Sequence, residues 1–472
     1  MNYMLMLPEA IVCTAALTAL MLGMFKNGRI VGHLSIFALI LSFLFTLNLF
    51  NANTTLFSGF FIIDPLAVIF KLLFISISLL VTICSLEPVK KWGDRPEYYS
   101  LVLFTTLGMM ISASSGDLIT LYIGFELTAI ASYPLVAFTK KKISSESAMK
   151  YFMFSAFFSA ITLFGISLVY GATGSTSIAS ALTINNHSLA LLASFFLISG
   201  FGFKTGIVPF HMWLADTHSG APAPISAFLS GGIINVAFVA LLRVLVVAMP
   251  TLHVEWGLIL AVLAILSMTV GNVVALAQRN IKRMFAYSTI AQAGYIIIGL
   301  AVAFNMGDLA ALGIAATLLH LTVHLFMKGG AFIAVAAVSE QIGYDIKDYA
   351  GLGRRAPITA TFMLIFLISL AGIVPTAGFI SKLVLLVAAM KSNTMGVILA
   401  VSLVINSAIS CVYYGRLARY MYFIEPKDNS KVKEDITSII PMAIAAIVIL
   451  IIGLYPPPVI GLVRDVATAL LL

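Results

Sequence analysis

The chain has 472 residues, 61% of them hydrophobic and 10% charged, far from the roughly 25% charge of soluble domains, and this excludes a soluble globular protein. Its 27 Lys and Arg against 19 Asp and Glu leave a formal charge of +8, which on so apolar a chain calls for a membrane explanation rather than a nucleic-acid partner. Cys13, Cys84 and Cys411 are far apart and in no C-x-x-C or C-x-x-C-H spacing, so no disulfide framework, iron–sulfur cluster or covalent haem is expected, and no redox centre.

A bilayer core of about 30 Å takes about 20 apolar residues per helix, and such runs follow one another nearly end to end. The first, residues 5–25, has neither a basic leader nor a small-residue cleavage pattern, so it reads as a retained helix and not a signal peptide. Further spans are expected at 30–51, 62–86, 98–114, 118–138, 148–170, 188–214, 222–249, 256–277, 284–304, 309–339, 357–390, 394–423 and 436–462. The expected fold class is an all-α polytopic membrane protein of about 14 transmembrane helices.

Cytoplasmic loops collect Lys and Arg. The odd-numbered loops hold Lys26 and Arg29, then Lys90, Lys91 and Arg95, then Lys140, Lys141 and Lys142. Further along they hold Arg279, Lys282 and Arg283, then Lys347, Arg354 and Arg355, then Arg416, Arg419, Lys427, Lys431 and Lys433. These are 19 of the 27 basic residues, whereas the even-numbered loops hold Lys391. Both termini are therefore expected on the outer face. One connection, residues 215–221, should be cytoplasmic yet has no Lys or Arg.

Within the apolar segments stand Lys71, Glu126, Lys204, His211, Arg243, His320, His324, Lys328 and Lys382. A charge at a helix centre costs at least about 2.5 to 3.5 kcal/mol, so each is a functional candidate by default. Snorkelling towards a helix end is the competing explanation. It stands level with function for Lys71 and Arg243, and is weak for Glu126, Lys204 and Lys382, which lie deep in long apolar runs.

Two spans look broken. The seventh reads SFFLISGFGFKTGIVPFHMW, with Gly200, Gly202 and Gly206 before Pro209; the twelfth reads LISLAGIVPTAGFISKLVLL, with Gly372 and Gly378 around Pro375. Proline removes a helical hydrogen bond, and the freed backbone survives in a bilayer when it is buried in protein or lines a wet cavity. Each break carries a lysine, Lys204 and Lys382. Paired interruptions in two halves point to an ion site at the midplane and to inverted repeats. The expected organisation is 1–97, helices 1–3; 98–249, a first five-helix repeat (helices 4–8); 250–423, a second, inverted repeat (helices 9–13); and 424–472, helix 14.

On the eleventh span His320, His324 and Lys328 fall at i, i+4 and i+8, on one helix face. A lone histidine there would read as a packing residue bonded to a carbonyl, but three polar groups in register read as a polar stripe. Adjacent turns of one helix cannot supply both axial ligands of one haem iron, and with neither HExxH nor a nearby carboxylate zinc is not expected. The segment GFGFKTG is not a phosphate loop, since Phe203 stands where glycine is needed and no strand precedes it.

The segments FGFKTGIVPFHMWLADTHSGAPAPISAFLS (201–230), QRNIKRMFAYSTIAQAGY (278–295), HLTVHLFMKGGAF and AGIVPTAGFISK together resemble the antiporter-like membrane subunits of respiratory complex I and its relatives. The resemblance runs nearly the whole length. The opening LPEA, the sequence YGATGST after helix 6 and an ending at fourteen helices are similar to the N type. Membrane-bound hydrogenases, the F420H2 dehydrogenase of methanogens and Mrp sodium/proton antiporters share this subunit type.

The resemblance implies a proton-translocating subunit of a complex I-like quinone or methanophenazine oxidoreductase in the cell membrane. By motif position, Glu126 matches the family's carboxylate on helix 5, Lys204 its partner lysine on broken helix 7, His211 the histidine of VPFHMW, and His320, His324 and Lys328 the polar face of helix 11. Lys382 matches the terminal ionisable residue of broken helix 12. Asn235, or neighbouring Ile234, falls where family members commonly place a lysine in helix 8. No cofactor is implied in this chain; FMN or FAD and iron–sulfur clusters are implied in partner subunits. The implied partners are other membrane-arm subunits, of the M and L types and the small K, J, A and H types, with a hydrophilic redox arm and lipid. Two other readings remain open: a non-pumping scaffold of the membrane arm, and an Mrp-type antiporter subunit.

Overall fold

A computed structural model of the protein describes residues 3–23, 28–50, 52–184, 186–247, 252–305, 309–426 and 428–471. Of the loop charges, Lys26 and Lys427 lie outside the described residues.

Several helices begin where a side chain satisfies the orphan donors of a first turn. Helix α1 is Leu7–Leu22 and α2 is Gly28–Leu47. After them a short antiparallel hairpin, β1 (Thr54–Leu56) with β2 (Phe61–Ile63), leads to Asp64, whose carboxylate accepts from Ala67 N at 2.7 Å and caps α3, Pro65–Cys84. Helix α4 is Glu97–Ala113. Asp117 caps α5, Leu118–Val136, accepting from Ile119 N and Thr120 N. Helix α6 runs Lys142–Thr173.

The seventh span is two helices, α7a (His187–Thr205) and α7b (Met212–Gly220), separated at Gly206, whose φ is +71°. Then come α8 (Ala223–Val246), α9 (His253–Ala277), α10 (Ile281–Asn305) and α11 (Ala310–Ile342). The twelfth span is also divided, into α12a (Pro357–Ala371) and α12b (Ala377–Met390). Helix α13 is Thr394–Phe423, capped by Asn393, α14 is Ile436–Leu454 and α15 is Pro457–Leu471.

Twelve helices among the described residues are long and apolar enough to cross a membrane. The 17-residue α4 and the two shorter halves of α12 stand where two further spans are read from the sequence. The chain is an all-α multi-pass membrane protein.

Two expectations need correcting. Residues 215–221 are not a loop, because α7b resumes at Met212 and carries the chain to Gly220. The last span does not continue to 462, because Pro456, Pro457 and Pro458 cannot extend a helix, and α14 stops at Leu454 before the separate α15.

The chain divides into two compact units, residues 1–205 with 232–253 and 469–472, and residues 206–231 with 254–468. Outward faces carry large apolar side chains, such as Phe37, Met153 and Phe157 in the first unit and Val404 and Val412 in the second. In lipid, helices are held by close packing rather than by a hydrophobic drive. In the second unit α10 and α11 meet at Gly299 and Gly313, where a Cβ on Gly299 would lie 2.5 Å from the Gly313 carbonyl.

Candidate functional site

In the first unit, the end of α7a and the middle of α5 bring Lys204 and Glu126 into electrostatic interaction. Lys204 is 1% exposed, donates to the Phe125 carbonyl at 3.1 Å and sits over the Phe125 ring, 3.7 Å from its centre. A ring face attracts a desolvated ammonium. Glu126 is half-buried, and its Oε1 is buried without a hydrogen-bond partner among the described residues. The amine is thus held by neutral groups while the carboxylate acts on it without a direct ion pair. Asn235 is fully buried in α8, in the eight helical residues between two wider π-type turns at Leu229–Ile233 and Leu242–Val247.

Lys71 and Arg243 do not snorkel. Lys71 is fully buried, its Nζ is 2.6 Å from Glu9 Oε1 on α1, and Phe61 lies beneath it. That contact has ion-pair distance without hydrogen-bond angles. Arg243 donates to both carboxylate oxygens of Asp64 at 3.0 and 2.9 Å and to the Ala113 carbonyl. This bidentate geometry ties the end of α8 to the cap of α3. Sequence patterning gave no hint of Glu9 or Asp64, because both stand at helix starts where an acid needs no special reason.

In the second unit, a break makes a site. The end of α12a leaves its last carbonyls unpaired, and Lys382 on α12b donates to two of them, Leu370 O at 3.0 Å and Ala371 O at 3.1 Å, with the Tyr295 ring 4.7 Å away. An ammonium is favoured at the negative end of a helix dipole. Gly372 makes this possible. Its φ is +83°, and a Cβ there would lie 2.8 Å from Lys382 Cδ. Gly372→Ala is expected to lower stability by about 1 to 3 kcal/mol through strain and lost carbonyl bonds, read as a fall in the melting temperature of the purified protein.

The stripe on α11 divides its contacts. His320 is fully buried between Ser381 Oγ on Nδ1 and Gln292 Oε1 on Nε2, both at 2.9 Å. Lys328 donates to Phe285 O at 2.8 Å and to Ser288 Oγ at 2.7 Å. Neither ring nitrogen of His324 has a hydrogen-bond partner among the described residues. His211 is half-buried at the start of α7b, with its Nδ1 likewise unpaired among the described residues.

Four further side chains escaped sequence reasoning. Lys282, counted as a loop charge, is buried and donates to Ala221 O at the C-terminal end of α7b at 2.8 Å. His218 is buried and stacked on Phe332, within the electrostatic reach of Lys328 and Lys282. Ser288 and Gln292, one turn apart on α10, engage Lys328 and His320. Neutral Ser and Gln carry no cost signal in an apolar run, and Lys282 reads as topology until the helix ends around it are known. No group of His, Cys, Asp and Glu that could hold a metal ion occurs among the described residues.

Residues 115–410 match the family model described as NADH:quinone oxidoreductase/Mrp antiporter, TM. The chain is 40% identical to the F(420)H(2) dehydrogenase subunit N of Methanosarcina mazei, with 99% of each chain covered. It is 38% identical to the NADH-quinone oxidoreductase subunit N of Desulforamulus reducens, with 100% of this chain and 99% of the relative covered. Among solved structures it is similar to a chain of respiratory complex I from Thermus thermophilus with bound aureothin, at 28% identity and a TM-score of 0.83, covering 96% of this chain and 98% of that one. On these grounds the chain belongs to the NADH:quinone oxidoreductase/Mrp antiporter family of transmembrane subunits, and among its members it is related along its whole length to the N subunits.

Proposed function

We propose that the chain translocates protons as an antiporter-like membrane-arm subunit of a complex I-like oxidoreductase that reduces a quinone or methanophenazine. Electrons pass elsewhere, through FMN or FAD and iron–sulfur clusters of partner subunits, and this chain performs no redox step. In this reading it lies in the cytoplasmic membrane with both termini outside, beside M- and L-type and small K-, J-, A- and H-type subunits. Residues 98–249 and 250–423 are its inverted repeats.

The observation that carries the reading is the pair of broken helices, each with a buried lysine solvated by carbonyls instead of a carboxylate. A buried ammonium keeps its proton while a carboxylate is near and yields it when the carboxylate withdraws. A signal from a neighbouring subunit that draws Glu126 away from Lys204 releases the proton towards Asn235, and His211, His320, His324 and Lys328 pass it on to Lys382 and the exit side. Moving one charge against 100 mV takes about 2.3 kcal/mol, and a change of two pKa units supplies about 2.7 kcal/mol, so charge switching has the right size.

The test is proton movement into vesicles holding the complete complex, with electron flow measured in the same sample. The reading expects a proton gradient that needs electron flow. Sodium-coupled exchange by the isolated chain would instead make it an antiporter subunit. Asn235 favours a second reading, the non-pumping scaffold, since an amide cannot carry the proton as a cation. Asn235→Lys is expected to leave the proton-to-electron ratio unchanged if water or a histidine serves this link, whereas a ratio raised by the new amine would mean that the native chain does not pump.

A further inference from the structure

His320 is held so that only one of its nitrogens is free to change. Gln292, on α10 and 1% exposed, donates its Nε2 to the Leu370 carbonyl at 3.3 Å and presents its Oε1 to His320 Nε2 at 2.9 Å. Turning the amide over would set its oxygen against the Leu370 carbonyl oxygen, which already accepts from Lys382 at 3.0 Å, so two acceptors would face each other. The amide orientation is fixed by that carbonyl, and an amide oxygen can only accept. His320 Nε2 must therefore carry a hydrogen in every charge state.

The other nitrogen is different. His320 Nδ1 faces Ser381 Oγ at 2.9 Å, and that hydroxyl also reaches the Gly378 carbonyl at 3.1 Å. A serine hydroxyl has one hydrogen and rotates. When His320 is neutral, Ser381 donates to Nδ1; when His320 is the cation, Nδ1–H donates to Ser381 Oγ and the hydroxyl turns to Gly378 O. Both states leave every buried polar atom of the trio satisfied.

We propose that Gln292 is a positioning residue that fixes His320 as its Nε2–H tautomer, leaving Nδ1, against Ser381, as the nitrogen that gains and loses the translocated proton. Uptake forms one N–H bond at Nδ1 and release breaks it, with the Ser381 hydroxyl turning between its two acceptors. Gln292 also joins this group to the amine of the stripe, Lys328. It lies within hydrogen-bonding reach of the Tyr414 phenol, which contacts Ser288, the hydroxyl that accepts from Lys328. The run Lys328, Ser288, Tyr414, Gln292, His320 and Ser381 crosses α10, α11, α12b and α13.

The inference rests on the proton-translocating reading for its purpose but not for its test. The full chain, labelled with 13C and 15N at histidine and reconstituted in liposomes, is measured by solid-state NMR at a pH where His320 is neutral. A His320→Gln spectrum identifies the signals of that residue. The expected result is a protonated Nε2 and a bare Nδ1. In Gln292→Leu the two nitrogens are expected to exchange roles, because Nδ1–H then finds Ser381 while Nε2 has no partner; Ser381→Ala should leave Nε2–H in place. A wild-type Nδ1–H tautomer, or an unmoved tautomer in Gln292→Leu, overturns the inference. Undiminished pumping by a complex carrying Lys382→Ala overturns the translocation reading while leaving the tautomer assignment standing, so the two failures are separable.

Discussion

Replacing Lys204 or Lys382 by alanine is expected to stop most proton movement through this chain while electrons still flow. Each lysine is a buried base beside its break, held by backbone carbonyl oxygen, and without it a proton crossing that stretch loses the amine it rests on. A charge unsupported near a helix centre costs at least about 2.5 to 3.5 kcal/mol, which corresponds to a rate about 70- to 400-fold lower. The measurement is the proton-to-electron ratio in vesicles of the complete complex, with subunit content verified on the same preparation. The two variants should differ in stability. Lys204→Ala leaves one carbonyl, Phe125 O, without its ammonium, whereas Lys382→Ala uncovers Ala371 O at the end of α12a and leaves Leu370 O with Gln292 Nε2 alone, at about 1 to 3 kcal/mol for a buried group left unmade. A lysine-to-methionine change at 382 would keep the packing but not the bonds, and is expected to lose pumping equally. An unchanged ratio in assembled variants would refute the path.

The second large effect is expected far from any break. Glu9→Ala leaves Lys71 fully buried and unpaired, and removing one partner of a buried ion pair costs about 3 to 5 kcal/mol. Glu9→Leu combined with Lys71→Met should recover most of that loss, because the pair has ion-pair distance without hydrogen-bond angles and its desolvation is poorly offset. Melting temperatures of the two single variants and the double variant in detergent form the cycle. A Glu9→Ala protein within about 1 kcal/mol of wild type would mean that Lys71 finds another partner or water. The outcome also separates structure from function here: a double variant as stable as wild type that pumps normally makes the pair a packing device of α1 and α3.

Much of the site was legible because in an apolar chain an ionisable residue is conspicuous. Lys204, Lys382, His320 and Lys328 stand out from their runs, and Gly-rich segments with Pro209 and Pro375 mark the breaks. Their partners were not legible. Gln292, Ser288, Ser381 and Tyr414 are neutral residues that ordinary helices carry, and their bonds depend on which helix faces which. Lys282 shows the opposite error, since a basic residue near a predicted loop reads as topology until its neighbours are known, and for Arg243 the sequence left snorkelling and function level. Arg243 proved to be paired with Asp64, and Lys282 to cap α7b.

The amino-acid sequence alone determined the membrane class, the succession of apolar helices and the two interruptions, because hydropathy, chain length and the missing N–H of proline act locally. Tertiary structure decided what each buried charge holds on to. Lys382 rests on the carbonyls that its own break exposes, and Lys71 on a carboxylate more than sixty residues away. His320 is fixed by an amide on one neighbouring helix and a hydroxyl on another. The reason is physical: the energy of a buried charge or hydrogen bond depends on atoms within a few ångströms, and only folding sets which atoms those are.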